Sequence, residues 1–75
     1  MRDIANEAYE ACAIGAIGWM KPDPDKGETL DAFQTVVEVT VSAMERDGLI
    51  RILDLHKESH TALRLVDLVK FKRLR

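Results

Sequence analysis

Four residues whose side chains bind metals or transfer protons occupy alternate positions in the second half of the chain: Asp54, His56, Glu58 and His60. A strand would display them on one side, and carboxylates and imidazoles are ligands for transition metals. In a helix, His56 and His60 would have the i, i+4 spacing of a zinc-binding pair, but no third ligand is evident. Because Glu58 and His60 fall in the polar segment KESHT, we expect a solvated hairpin tip, with no metal and no cofactor.

The single cysteine, Cys12, is a candidate nucleophile. A thiol needs a base beside it, and nothing in the sequence links Cys12 to either histidine, so we expect it to be buried. The sequence also lacks a glycine-rich phosphate loop, a serine elbow and a paired-carboxylate pocket. A lone cysteine forms no internal disulfide, which favours the cytoplasm. We therefore predict a cytoplasmic protein that is not an enzyme.

The size and the charge distribution of the chain limit the kinds of partner that it can bind. The 75 residues suit one small domain, 1–75, because two domains would each lack an adequate core. The apolar run ACAIGAIGWM is half the ~20 residues that a membrane helix needs, so we expect no membrane partner. Residues 1–48 carry a net charge of −6 and residues 49–75 a net charge of +4. Phosphate would therefore be attracted only to the C-terminal part.

The first half of the chain contains two segments with helical periodicity. Small and apolar residues recur at i, i+3 and i+4 over residues 2–20, which predicts a first helix that ends at the Pro- and Asp-rich loop 21–28. Thr29 is a suitable cap for a second helix that ends at Gly48. The β-branched run TVVEVTV favours a strand, but the helical period continues on both sides of it. We therefore predict a helix.

Two apolar runs, LIRILDLH and ALRLVDLVKFKR, flank the polar segment KESHT and predict a hairpin. Opposite charges select a register in which Arg51 faces Asp67 and Asp54 faces Arg64, with a loop over residues 57–61. In this register both faces of the hairpin are apolar. A helix over residues 61–75 is the alternative interpretation, since its apolar residues would also share one helix face.

A hairpin that is apolar on both faces needs a second cover, because water would otherwise contact one of them. With two helices per chain, a second copy of the chain is the simplest source, and we predict a homodimer. The residues expected at the interface are Val36, Val39, Ala43, Ile50, Ile52, Val66 and Leu68. The alternative is a monomer in which the first helix covers the far face.

The segment MERDGLIR, followed by a hairpin with a polar tip, resembles the C-terminal half of a winged-helix domain over residues 29–72. The resemblance implies a DNA-binding or regulatory module with the helix ending at Gly48 as recognition helix and residues 57–61 as wing tip. The sequence departs from that family because one continuous helix replaces a short helix and a turn. That helix also offers few groups for base contacts, namely Gln34 and Arg46, among several acidic residues.

Together these patterns predict an α+β fold, two helices followed by an antiparallel β-hairpin, winged-helix-like in outline. The predicted function is weak, sequence-independent binding of nucleic-acid phosphates by the wing tip and the basic C-terminal segment. The residues expected to contact phosphate are Lys57, His60, Lys70, Lys72, Arg73 and Arg75. The alternative function is a protein-interaction or homodimerisation module that does not bind nucleic acid.

Overall fold

A three-stranded antiparallel sheet and two helices form the fold in the computed structural model, which describes residues 3–59 and 64–75. Helix α1 is Ile4–Ala11, and helix α2 runs without a break through Leu30–Thr35, Val36–Val41 and Ser42–Arg46. The strands are β1 (Ile17–Met20), β2 (Ile50–Lys57) and β3 (Val66–Arg73), in the order β1-β3-β2. The predicted α+β class is confirmed.

Helix α1 is shorter than the predicted helix over residues 2–20, and that prediction is wrong in its second half. Asp3 caps the helix by accepting a hydrogen bond from the Asn6 backbone N–H at 3.2 Å. After Ala11 the chain makes a turn in which the Ala16 N–H donates to the Ala13 carbonyl at 2.9 Å. Gly15 has φ +83° in this turn, a conformation that glycine adopts without strain. The helix therefore cannot continue.

Strand β1 follows that turn and is an element that the sequence analysis did not predict. It pairs with the central strand β3, so that Gly18 lies opposite Phe71 and Trp19 opposite Lys70. A Cβ on Gly18 would stand 2.8 Å from Cζ of Phe71, which is closer than side chains approach. The glycine thus admits the buried ring of Phe71 against the strand. The order of two helices followed by a hairpin is corrected to helix, strand, helix, hairpin.

Helix α2 confirms the prediction of a helix between Thr29 and Gly48. The Thr29 hydroxyl accepts a hydrogen bond from the Ala32 N–H at 3.1 Å, and Gly48 has φ +76° just beyond the helix end. The β-branched run expected to compete with the helix instead forms a π-helical segment, Val36–Val41. The segment stays helical because Val41 is buried in the core, as are Phe33 before it and Met44 after it.

Strands β2 and β3 confirm the hairpin, and the helix alternative is wrong for Val66–Arg73. The predicted register is also wrong, since Ile52 lies opposite Phe71 and Asp54 opposite Lys70, with an irregularity between them. Burying an aromatic side chain such as that of Phe71 stabilises a fold by about 1.5–3 kcal/mol. A cross-strand charge pair contributes about 0.2–1 kcal/mol. Core packing therefore decides the register over surface charge.

The observed register gives the sheet two unlike faces. The inner face packs on the helices, and its residues are Gly18, Met20, Ile50, Ile52, Val69 and Phe71. The opposite side, called the outer face below, carries Ile17, Trp19, Arg51, Asp54, Lys70 and Lys72 and, further along the hairpin, His56 and Leu68. The prediction that both faces are apolar is therefore wrong, and the argument for a homodimer that depended on it is lost.

Candidate functional site

The outer face brings three strands together in two rows of side chains. In the first row Trp19 of β1 lies opposite Lys70 of β3, which lies opposite Asp54 of β2. In the second row Ile17, Lys72 and Arg51 stand in the same strand order. Facing residues on neighbouring strands have Cβ atoms about 4.5–5.5 Å apart, so each row forms a continuous surface.

Two large apolar side chains are exposed on this face. Trp19 retains 55% of its surface accessible and Ile17 46%. Tryptophan is highly buried on average in folded proteins, because its large ring gains most from leaving water. Both side chains lie on a four-residue edge strand, so they are available to a ligand without rearrangement of the core. An exposed indole beside charged groups is typical of a binding surface.

The charge of the two rows is positive, because Arg51, Lys70 and Lys72 outnumber the carboxylate of Asp54. Arg51 lies directly opposite Lys72. Like charges in facing positions destabilise a sheet, so this pairing does not serve folding. Within residues 3–59 and 64–75 none of the three cations forms an ion pair. The two rows therefore present a net positive charge.

The basic residues near the C-terminus divide into two groups. Lys70 and Lys72 lie on the outer face, as described. Arg73 instead turns to α1, where its guanidinium lies 4.2 Å from the ring centroid of Tyr9 and donates to the Cys12 carbonyl at 2.8 Å. The carbonyl of Arg75 accepts hydrogen bonds from the Tyr9 hydroxyl and from Arg73, both at 2.6 Å. This second group ties β3 to the end of α1.

The predicted wing tip is only partly visible. Lys57 is exposed at the end of β2, opposite Val66. His60 lies outside the described residues, as does Thr61 at the end of the predicted loop 57–61. Strand β2 ends at Lys57 and β3 begins at Val66, so more residues separate the two strands than the predicted loop 57–61 contains. The Glu58 N–H donates to the Leu65 carbonyl at 2.9 Å.

The structure describes three of the four alternating acidic and histidine residues, and each of the three has different surroundings. Asp54 lies opposite Lys70 on the outer face, and Glu58 is buried, where its carboxylate accepts a hydrogen bond from the Leu65 N–H at 3.2 Å. His56 bonds instead to Asp67, with Nδ1 and Oδ1 2.6 Å apart. This hydrogen bond, followed by the attraction of the Asp67 charge, raises the pKa of His56 above 6.5. No cluster of three metal-ligating side chains occurs in the described ranges.

The thiol of Cys12 is buried, as predicted, and donates to the Ala16 carbonyl at 3.4 Å. A separate groove of about 550 Å³ lies between α1, β1 and the segment that follows β1, and its lining includes Ala8, Ala11, Trp19 and Lys21. Trp19 therefore borders this groove as well as the outer face.

Helix α2 offers even fewer groups for base contacts than its sequence suggests. The side chain of Gln34 donates to the Val66 carbonyl at 2.7 Å and accepts from the Val66 N–H at 2.9 Å. Gln34 thus hydrogen-bonds to the backbone of β3 at Val66, outside the part of β3 that pairs with β1. Arg46 remains exposed, 3.6 Å from the carboxylate of Asp47. The exposed side of α2 also carries Glu38, which would repel phosphate.

The residues predicted for a dimer interface are separated in the structure. Ile50 belongs to the core of its own chain, with 1% of its surface accessible, and Ile52 and Val66 pack against that core. Leu68 is half-buried opposite His56. On α2, Val36 and Ala43 are half-buried and Val39 is 64% exposed. The helix residues and the sheet residues therefore do not form one surface.

Comparison of this chain with protein-family models, with curated proteins and with solved structures finds no match. Over the residues that the structure describes, no helix combines the length and the apolar character required to cross a bilayer.

Proposed function

We propose that this chain is a small non-catalytic nucleic-acid-binding module that contacts phosphates through its outer face. The observation that carries the proposal is the row in which exposed Trp19 stands beside Lys70, with the facing cations Arg51 and Lys72 next to it. Cations neutralise phosphates, and an aromatic ring offers a surface on which bases stack. The lone cysteine supports a cytoplasmic setting for such a module.

The facing pair of Arg51 and Lys72 is the strongest support for an anionic ligand. A sheet selected for stability alone would place opposite charges in these positions, since like charges facing each other are unfavourable. A bound phosphate between them would remove that repulsion. Binding of an anionic ligand would thus account for the unfavourable pairing.

The same charges restrict where nucleic acid binds. Helix α2 exposes Asp31 and Glu38, and the side-chain N–H groups of Gln34 donate to carbonyls within the chain. A recognition helix in the major groove needs free donors on its exposed side. The passage from α2 directly into β2 and β3 supports a winged-helix-like fold. We therefore propose that the sheet of this fold, and not its helix α2, contacts the ligand.

Binding to labelled random-sequence oligonucleotides, measured by fluorescence anisotropy over a range of salt concentrations, tests this proposal. Three neutralised phosphates predict a slope of about −2 to −3 for log K against log salt. The variant Lys70→Glu/Lys72→Glu is expected to lose binding. Its matched control, Lys26→Glu/Arg46→Glu, makes the same charge change away from the outer face and is expected to retain binding. An absence of binding by the unmodified chain at low salt contradicts the proposal.

A second candidate function, homodimerisation, is supported by the exposure of Val39 on α2. A shallow apolar surface surrounds it, formed with Ala32, Thr35, Val36 and Thr40. A two-fold axis through this surface would place it against itself. Sedimentation at micromolar concentration should then give twice the 8.5 kDa mass of one chain, and Val39→Glu should restore the monomer. A monomer for the unmodified chain excludes this candidate.

A further inference from the structure

We infer that the ligand of the outer face is an unpaired, single-stranded nucleic acid, with one base stacked on the indole of Trp19 and neighbouring phosphates held by Lys70 and Lys72. This inference rests on the proposed function and specifies its ligand. The juxtaposition that carries it is an exposed ring at a sheet edge with two cations at alternate positions of the adjoining strand.

The spacing on the outer face suits a single strand. Lys70 and Lys72 are two residues apart on β3 and point to the same face, about 7 Å apart along the strand. Successive phosphates of an extended nucleic-acid strand are separated by a similar distance. Trp19 lies directly opposite Lys70, so a base on the ring and its own phosphate on the ammonium group can be held together.

The ring has open space around it. Trp19 lines the groove between α1 and β1 together with the small side chains of Ala8 and Ala11, and the lining also includes Ile4, Met20, Pro22 and Pro24. The open space of this groove leaves room beside the ring for a base that approaches from the outer face. The same groove is bordered by Glu7 and Asp23, whose carboxylates disfavour phosphate there and leave the phosphates to the lysine side of the ring.

A duplex fits this surface less well than a single strand. Bases in a duplex are stacked on each other, so their faces are closed to the indole of Trp19. Base edges in the major groove are read by a helix or a narrow β-ribbon that carries free donors, and Gln34 on α2 is already bonded to Val66. A free base of any identity offers a π-face, so stacking is tolerant of sequence.

The chain contains its own reporter for this contact, because Trp19 is its single tryptophan. Titration with oligothymidine, and separately with a duplex of equal length, should be followed by tryptophan fluorescence and by anisotropy of a label on the nucleic acid. We expect oligothymidine to quench the fluorescence of the unmodified chain. We expect the unmodified chain to bind oligothymidine roughly 5- to 150-fold more tightly than the Trp19→Ala variant binds it. Trp19→Phe, which keeps an aromatic face, should recover most of the affinity.

The outcomes separate this inference from the proposed function. Equal binding of duplex and oligothymidine, with no fluorescence change and with loss in Lys70→Glu/Lys72→Glu, overturns stacking on Trp19 and leaves phosphate binding by the outer face intact. Binding of neither ligand overturns both. Circular dichroism of Trp19→Ala is the control for folding, and an unchanged affinity in this folded variant also overturns the inference.

Discussion

The inner and outer faces of the sheet are built from the same strands but obey different rules. On β3, Val69 and Phe71 point inward and are fully buried, whereas Lys70 and Lys72 alternate with them and point outward. The inner residues set the register because their burial contributes most to stability. The positions of the outer residues follow from that register, even where it places like charges opposite each other. Interactions that a fold tolerates without benefit are the ones to examine for function.

The largest expected effect is on the inner face. Phe71→Ala should destabilise the fold by about 3–5 kcal/mol, because it removes a fully buried ring from a small core. Domains of this size are stable by only a few kcal/mol, so the variant should be largely unfolded. Urea denaturation followed by circular dichroism measures the effect. Lys70→Ala, the neighbouring outer-face change, should stay within about 0.5 kcal/mol of the unmodified chain.

A smaller effect is expected from overpacking the same site. Gly18→Ala places a Cβ 2.8 Å from Cζ of Phe71 and should destabilise the fold by about 1–3 kcal/mol. The double variant Gly18→Ala/Phe71→Leu shortens the opposing side chain. It should be less destabilised than the sum of its two single variants. Strict additivity in urea denaturation would contradict the contact.

Arg73 and Lys72 are adjacent cations on β3, and substituting each of them compares a residue that contacts α1 with a residue of the outer face. Arg73→Met should destabilise the fold by about 1.5–3 kcal/mol, because it removes charge-assisted hydrogen bonds to the carbonyls at the end of α1. Lys72→Met should not lower stability, because it removes the like-charge pair with Arg51, and it should weaken oligonucleotide binding. Thermal melts and anisotropy on both variants make the test. A strong loss of stability in Lys72→Met would remove the distinction between the two residues.

A substitution at Arg51, which faces Lys72, should change the stability of the fold and the affinity for oligonucleotides in opposite directions. Arg51→Glu converts a like-charge pair with Lys72 into an opposite-charge pair and should raise stability by about 0.2–1 kcal/mol. The same change should weaken oligonucleotide binding, since it reverses a charge on the outer face. Urea denaturation at low salt and anisotropy measure the two effects. A stability loss together with unchanged binding would show that Arg51 supports the fold instead.

The smallest effect concerns the hydrogen bond between His56 and Asp67. Because Asp67 raises the pKa of His56, protonated His56 is favoured in the folded state. The stabilising contribution is therefore fully present below pH 6.5 and is lost as the pH rises through the raised pKa. NMR titration of the His56 ring protons should show a pKa above 6.5, and Asp67→Asn should lower it. An unshifted His56 in the unmodified chain would contradict the contact.

The sequence predicted the elements whose signals are local. Thr29 and Gly48 mark the ends of α2 by their own chemistry, and two apolar runs on either side of a polar segment predict β2 and β3. Strand β1 was missed, because IGWM is short and its small neighbours fit a helical period equally well. Its strand conformation depends on Gly15 in the turn and on pairing with β3, about 50 residues later in the chain.

The candidate site was predicted only in part for the same reason. Lys70 and Lys72 were expected to contact phosphate from their charge alone. Trp19 falls within the helix predicted over residues 2–20, and nothing near it in the sequence indicates that it lies opposite Lys70. Arg73 was grouped with the lysines, although its contacts with Tyr9 and Cys12 are formed across more than 60 residues. Charge is visible in a sequence, but the partner of each charge depends on the fold.

The most direct test of the outer face as a nucleic-acid site is an NMR titration of the isotope-labelled chain with a short oligonucleotide. The account predicts that shift changes concentrate on the indole N–H of Trp19 and on the backbone amides of Ile17, Arg51, Lys70 and Lys72. Changes centred on α2, or an unaltered spectrum at low salt, would contradict it.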